Sequence, residues 1–377
     1  MPIRKKASFK RPGRGGDFLV WLLLMGFLGG LGWLWWHEKH PVKVASKPTP
    51  ATGRVVEKAK PKLKTQAKPI PPVLPVQSSL VPVPSAEQTT VFPRPVRDVM
   101  EAQIALARRA ISPGSLDGAI GSQTRAAIAA FQRSRNLFPT GSLDTNTRPR
   151  LTLDAPTLTD YIVTTNDFAR LQPLGKTWLE KSQQSALDYE TELELVAEHG
   201  HAHPALIRQL NPNANWTNLA AGTVLKIPDV SYPEPAGKAA WVVIHLSGRF
   251  LEAFDAETNL IAHFPCSIAA KVEKRPVGEL HVSVLAPDPN YTVNPELFPE
   301  SSELQALGHK LILPPGPNNP VGDAWIGLDR PGYGMHGTPI PEQVGRTESH
   351  GCFRLANWDA EYMVKLAGVG MPVLVEP

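Results

Sequence analysis

Residues 241–255 read WVVIHLSGRFLEAFD, two short apolar runs around a Ser-Gly-Arg turn, and they decide the architecture of the C-terminal part of the chain. Similar runs follow at 260–269 (LIAHFPCSIA), 278–287 (GELHVSVLAP), 323–329 (DAWIGLD) and 371–377 (MPVLVEP). Turn residues separate them at short intervals, which predicts a mostly β domain over residues 238–377. The whole chain has 377 residues, a length for two or three domains. Apolar residues make up 42% and charged residues 20%, so ordinary hydrophobic cores are expected and wholesale disorder is excluded. The 39 prolines are roughly twice the usual share of about 5%, and they crowd before residue 96, which marks a linker. The net charge of +4 lies largely in the N-terminal tail and that linker, so the pI of 9.0 gives no argument for a nucleic-acid partner. Two cysteines exclude a disulfide framework and a four-cysteine zinc site.

The chemistry is concentrated in residues 334–359, GMHGTPIPEQVGRTESHGCFRLANWD, where one cysteine and two histidines, each beside a glycine, fall in seventeen residues. A thiol attacks an acyl carbon only once ionised, so Cys352 needs an imidazole to take its proton and backbone N–H groups to hold the oxyanion. Gly351 permits a tight turn beside the nucleophile, and the Gly351 and Cys352 amides can then point at one oxygen. His336 is free to approach from a neighbouring strand. His350, two residues from Cys352 on extended chain, shares its face and stays open as an alternative base. A Cys-His-His zinc site lacks a fourth ligand, and a hydrolase built on Ser349 lacks the nucleophile-elbow glycines. No metal is expected.

The HGT at 336–338, the SHGCFRL at 349–355, and Asn357 and Asp359 resemble the signature of the L,D-transpeptidases with a YkuD-type catalytic domain. FPCSIA (264–269), PVGELHV (276–282), NYTVNP (290–295) and PGPNNPVGDAWIGL (315–328) extend the resemblance over about 135 residues. Two departures lie outside the catalytic window: Cys266 and Ala269 stand where the family more often has Val and Gly, and PVG replaces a common T-P-x-G. The resemblance implies a β-sandwich of the L,D-transpeptidase kind, with Cys352 as nucleophile, His336 as base and the Gly337 carbonyl orienting it. It implies an oxyanion hole from the Gly351 and Cys352 amides, with Ser349, His350, Arg354, Tyr333 and Asn357 binding substrate or shaping the site. The implied reaction takes a peptidoglycan tetrapeptide stem, releases D-alanine, forms a thioester and passes the acyl group to an amine. That amine is diaminopimelate of another stem, giving a 3→3 cross-link, or a lysine of an envelope lipoprotein. With water as acceptor the enzyme is an L,D-carboxypeptidase or a hydrolase of the same bonds; with the chemistry lost, it is a non-catalytic peptidoglycan-binding scaffold. Carbapenems are implied as covalent inhibitors, and no cofactor is.

Upstream, residues 18–36 (FLVWLLLMGFLGGLGWLWW) are nineteen uncharged residues, enough to cross a hydrocarbon core of about 30 Å. The basic tail at 1–17 places the N-terminus in the cytoplasm, which leaves the rest extracytoplasmic, in a periplasm if the envelope has one. Residues 37–95 form the Pro/Lys-rich linker. Residues 96–153 predict a small all-α domain, with Ala127, Ile128 and Phe131 on one helix face, and DGAIG and TGSLD resemble the helical peptidoglycan-binding domain. Residues 160–230 predict a small α+β module: an opening strand at Tyr161, short helices with Leu193, Val196 and Ala197 on one side, and a closing TVLKIP strand. This pattern resembles a LysM domain, a binder of glycan, interrupted by about twenty residues around KTWLEKSQQSALDYE (176–190). His199, His201 and His203 read as solvated or capping side chains. Cys266 reads as a buried free thiol, the alternative being a disulfide that would cap Cys352.

Overall fold

The computed structural model describes residues 91–347, 349 and 351–377. The basic tail, the apolar segment 18–36 and linker residues 37–90 lie outside them. Among the described residues no helix is long and apolar enough to cross a membrane.

The first module begins at β1 (Arg94–Pro95), which pairs antiparallel with β2 (Thr152–Leu153), so residues 94 and 95 belong to the fold and the linker ends earlier than expected. This short ladder also means that the module is not purely helical. Helix α1 (Val99–Ala107) is capped by Asp98, which accepts from the Glu101 N–H at 2.9 Å. Helix α2 (Ser122–Ser134) buries Ala127, Ile128 and Phe131 to within 1% of full exclusion, the expected face. Gln103 ties the glycine-rich turn to α1 by donating to Asp117 at 2.8 Å and to the Ala119 carbonyl at 3.0 Å.

The second module opens with β3 (Leu158–Ile162). Then come α3 (Thr165–Ala169), α4 (Trp178–Ser182), α5 (Glu192–His199), α6 (Pro204–Leu210) and β4 (Val224–Pro228), which pairs antiparallel with β3 from Leu158 opposite Pro228 to Ile162 opposite Val224. Thr164 with Asp167 and Thr177 with Glu180 form capping boxes, the local reason α3 and α4 start where they do. Helix α4 belongs to the 176–190 interruption. It packs outward against the third module, with Trp178 5.9 Å from Phe298.

The third module contains β5 (Trp241–His245), β6 (Phe250–Phe254), β7 (Leu260–Pro265), β8 (Gly278–Pro287), β9 (Tyr291–Val293), α7 (Ser302–Leu307) and β10 (Leu311–Leu313). It continues with β11 (Ala324–Leu328), β12 (Gly334–His336), β13 (Phe353–Arg354), α8 (Asn357–Leu366) and β14 (Pro372–Glu376). Strands β9 and β10 form a separate hairpin; the other eight form a sheet of order β13-β12-β11-β8-β14-β5-β6-β7. The mostly β domain expected here is built on one continuously hydrogen-bonded sheet. The reason is the ten-residue length of β8: its first residues pair with β14 and its remainder with β11. Alternation fills the core, because Val242, Ile244, Leu251, Ala253, Ala262 and Phe264 are all fully buried, each large aliphatic or aromatic side chain contributing about 1.5–3 kcal/mol. The ends of the sheet approach each other just past β7: Ser267 and Arg354 exchange backbone hydrogen bonds at 2.9 and 3.0 Å, and Ser349 donates to Ile268 at 2.8 Å.

The three modules belong to one compact unit. Ser112 of the first donates its N–H to the His263 carbonyl at 2.8 Å, and the His263 N–H donates to Ala110 at 2.9 Å, so the chain extends the β7 edge. Leu116 pairs in the same way with His201 and His203 of the second module. At this junction Asp359 of α8 is fully buried and accepts from Tyr232 at 2.5 Å and Ser112 at 3.1 Å. His201 departs from the solvated side chain expected. Its ring stacks on Trp358 at 4.8 Å, and burial pushes its pKa down to about 3, keeping it neutral. His203 does cap a helix, its Nδ1 accepting from Ala205 at 3.0 Å.

Candidate active site

Strand register decides which side chains meet. Strands β12 and β13 are parallel, with Met335 opposite Phe353 and His336 opposite Arg354. Paired residues share a face and neighbours alternate, so with Met335 and Phe353 buried in the core, His336 and Arg354 point to the other side. Cys352, two residues before Arg354, emerges there too, with Sγ donating to the Gly332 carbonyl at 3.4 Å. Trp325 of β11 is opposite His336 and stacks on it at 5.6 Å. Four side chains from three adjacent strand segments thus converge on one face.

The imidazole is oriented by its own loop. His336 Nδ1 lies 2.7 Å from the Gly337 carbonyl, which can only accept, so Nδ1 carries the proton and Nε2 keeps its lone pair. The side chain is 4% exposed, and burial, outweighing the Gly337 bond and reinforced by Arg354, pushes its pKa down to about 4. The Cys352 thiol is pushed above its usual value by burial, against the opposing effects of a backbone hydrogen bond to Gly334 and the Arg354 charge. Burial thus favours the uncharged form of both groups. The imidazole can act as base when a substrate arrives.

Asn357 is 1% exposed and braces this loop: its Oδ1 accepts from the Thr338 N–H at 2.8 Å and its Nδ2 donates to the Pro317 carbonyl at 3.3 Å. A Cβ at Gly322 or at Gly337 would lie 2.0 or 2.2 Å from Asn357 Oδ1, so neither position has room for a side chain. Ser349 is buried, donates to the Cys352 carbonyl at 2.5 Å and accepts from the Gly351 N–H at 3.2 Å. The Gly351 amide, expected to aim at an oxyanion, is thus engaged by Ser349 Oγ, which must share or release it when an oxyanion forms. The Tyr333 ring lies beside Gly351 and under the Arg330 guanidinium, 4.7 Å away. His350 lies outside the described residues. A cavity of about 180 Å³ opens beside Arg354, lined by Ser267, Thr338, Ile340, Gln343, Val344 and Thr347.

Sequence reasoning missed two members of this neighbourhood. Tyr291, on the β9–β10 hairpin, is raised above its usual pKa by burial, then by the nearby Cys352 thiol, with Arg354 opposing. Trp325 carried a weak signal, a large aromatic at the outward position of the strand AWIGL. Cys266 is a fully buried free thiol, pushed by burial up to about 12, and Cys352 is likewise free. Among the described residues no group of three His, Cys, Asp or Glu side chains could hold a metal ion.

Comparison with known proteins defines the class. Residues 239–375 match the YkuD family, the L,D-transpeptidase catalytic domain, and residues 96–151 match the family described as "Putative peptidoglycan binding domain". Residues 239–375 thus carry an L,D-transpeptidase catalytic domain of the YkuD family, which makes the chain an enzyme of that class, and the segment ahead of them is similar to a peptidoglycan-binding domain. A Bacillus licheniformis protein named "Putative L,D-transpeptidase YkuD" is 25% identical over 188 residues, 50% of this chain and 94% of that one. A Bacillus subtilis protein named "Putative L,D-transpeptidase YqjB" is 34% identical over 105 residues, 26% of this chain and 51% of that one. Among solved structures, an L,D-transpeptidase from Xylanimonas cellulosilytica aligns over 78% of this chain and 100% of its own at 16% identity, with a TM-score of 0.31.

Proposed function

We propose that the chain is a cell-wall L,D-transpeptidase that uses Cys352 as nucleophile and His336 as base, tethered to the membrane by residues 18–36 with its catalytic domain outside the cytoplasm. The observation that carries this reading is the strand register bringing His336, with Nδ1 held by Gly337 and Nε2 available, onto the face from which Cys352 emerges. In the reaction His336 Nε2 takes the thiol proton as Sγ attacks the carbonyl of the third stem residue. The imidazolium returns that proton to the departing amine of D-alanine, leaving a thioester on Cys352. His336 next takes a proton from the acceptor amine, which attacks the thioester; a new amide forms and the thiol is restored with that proton. The oxyanion formed at each attack needs backbone donors, and the Cys352 and Gly351 amides serve once the Gly351 N–H turns from Ser349 Oγ or is shared with it. Arg354 sits where it can meet a stem carboxylate beside the cavity it lines. An amine on a second stem is the acceptor in this reading. A lipoprotein lysine would use the same steps.

Intact mass spectrometry tests it. The full chain in mild detergent is incubated with a disaccharide tetrapeptide and, separately, with a carbapenem, alongside Cys352→Ala. A covalent adduct on the unaltered chain alone, with D-alanine release and a muropeptide dimer, is expected. Tripeptide without dimer would make it a carboxypeptidase, and no adduct on folded protein would make it a wall-binding scaffold.

A further inference from the structure

The 176–190 interruption of the second module is anchored on the third. Leu187, fully buried, shares a small core with Val293, Leu304 and Leu313, and Trp178 lies 5.9 Å from Phe298. Its backbone pairs both ways with the loop at 315–318: the Leu187 N–H donates to the Pro315 carbonyl at 2.8 Å, and the Asn318 N–H donates to the Leu187 carbonyl at 2.9 Å. A Cβ at Gly316 would lie 2.4 Å from the Leu187 carbonyl oxygen, an approach that only glycine allows. The Asn318 side chain, 8% exposed, completes the clamp by donating to the Asp188 carbonyl at 3.0 Å and to Glu194 Oε1 of α5 at 2.5 Å.

The clamped loop leads to the imidazole. The Pro317 carbonyl, between these contacts, accepts from Asn357 Nδ2 at 3.3 Å; Asn357 Oδ1 accepts from the Thr338 N–H at 2.8 Å; and the adjoining Gly337 carbonyl holds His336 Nδ1 at 2.7 Å. The geometry points to Asn318 as a positioning residue for His336, through which Asp188 and Glu194 of the second module fix the orientation of the catalytic base. The interruption then has a purpose in catalysis: it is the strut of the active site. A module read as a wall binder becomes part of the catalytic apparatus, and a loosened clamp lets Asn357 turn and frees the Thr338 N–H. This deepens the transpeptidase reading and rests on it for the role of His336.

The test uses the full chain with Asn318→Ala, Glu194→Ala and Glu194→Gln, the last keeping a carbonyl to accept from Asn318. D-alanine release from the tetrapeptide gives kcat and KM, the rate of Cys352 alkylation by iodoacetamide is followed against pH, and thermal unfolding reports folding. Asn318→Ala and Glu194→Ala should lower kcat by about ten- to a hundredfold with KM within about twofold, and depress the neutral-pH part of the alkylation profile, where His336 must take the thiol proton. Glu194→Gln should stay within about threefold of the unaltered chain. An Asn318→Ala chain with unchanged kcat and alkylation profile overturns the proposal, as does a loss that only tracks the unfolded fraction or is equally deep in Glu194→Gln. If the unaltered chain releases no D-alanine, the transpeptidase reading falls, and the alkylation profiles alone decide on Asn318.

Discussion

The two ends of the eight-stranded sheet are finished in different ways. At the β7 end the backbone of residues 110–112 lies along the edge, and the ionisable groups are paired. Burial works to raise the Glu252 carboxyl, but hydrogen bonds with His245 and His263 and the ion pair with Arg133 outweigh it and hold the group well below the usual range. At the β13 end the strand is two residues long, and Cys352 and His336 are both kept uncharged by burial. A covered edge with paired charges is a joint between modules. A short edge with uncharged, unreacted groups keeps its proton transfer for the moment of substrate binding.

This contrast can be broken at either end. The largest effect is expected from His336→Gln, which should slow D-alanine release by about 10²–10⁴-fold, with His350→Gln well behind. Reversed ranks would hand the base to His350. In the unaltered chain, alkylation of Cys352 should climb as pH rises into the alkaline range, because the thiol is raised and His336 is already neutral above about pH 4. A plateau between pH 5 and 7 would reveal a resting thiolate–imidazolium pair and sink the uncharged reading. At the other end, Ser112→Pro removes the N–H given to His263 and should lower the urea-derived stability by about 3 kcal/mol, leaving turnover per folded molecule unchanged. Turnover lost at full stability would make that edge part of the catalytic machinery.

The smallest change concerns Asp359, whose pKa burial pushes up to about 7, against hydrogen bonds from Tyr232 and Ser112. Because the folded value lies above the unfolded one, its contribution is complete below about pH 4 and is lost as pH rises through 7. Asp359→Asn should therefore raise the unfolding free energy at pH 8 by about 2 kcal/mol and leave it near unchanged at pH 4. A flat pH response in the unaltered chain would contradict this.

Much of the third module was legible because its information is local. The runs at 241–255 and 260–269 are short apolar stretches bounded by turn residues, and the Cys352 window carries its residues in one continuous stretch. The α2 face of Ala127, Ile128 and Phe131 was readable for the same reason. What escaped depends on contacts between residues far apart in the chain. Nothing in WLEKS announces that Trp178 will meet Phe298, or in AEHGHAH that His201 will stack on Trp358 instead of facing water. The length of β8 was visible as GELHVSVLAP, but its sharing between β14 and β11 depends on strands that lie roughly 40 to 90 residues further along the chain. The engagement of the Gly351 amide by Ser349 turns on a hydroxyl rotamer, which sequence spacing does not encode.

Asn357 occupies the space that side chains at Gly322 and Gly337 would need, with its amide oxygen 2.0 and 2.2 Å from the Cβ positions of the two. Gly337 and Asn357, 20 residues apart in sequence, therefore make up one evolutionary character. A side chain at Gly337 is admissible only after residue 357 shrinks, and a smaller residue there abandons the Thr338 amide, while Gly322, at φ +61° with its Cβ position 2.7 Å from the Gly337 backbone, stays glycine in either case. Related chains should thus keep this pair together or replace it together, and a library randomised at positions 337 and 357 should return pairings that no single-site scan contains.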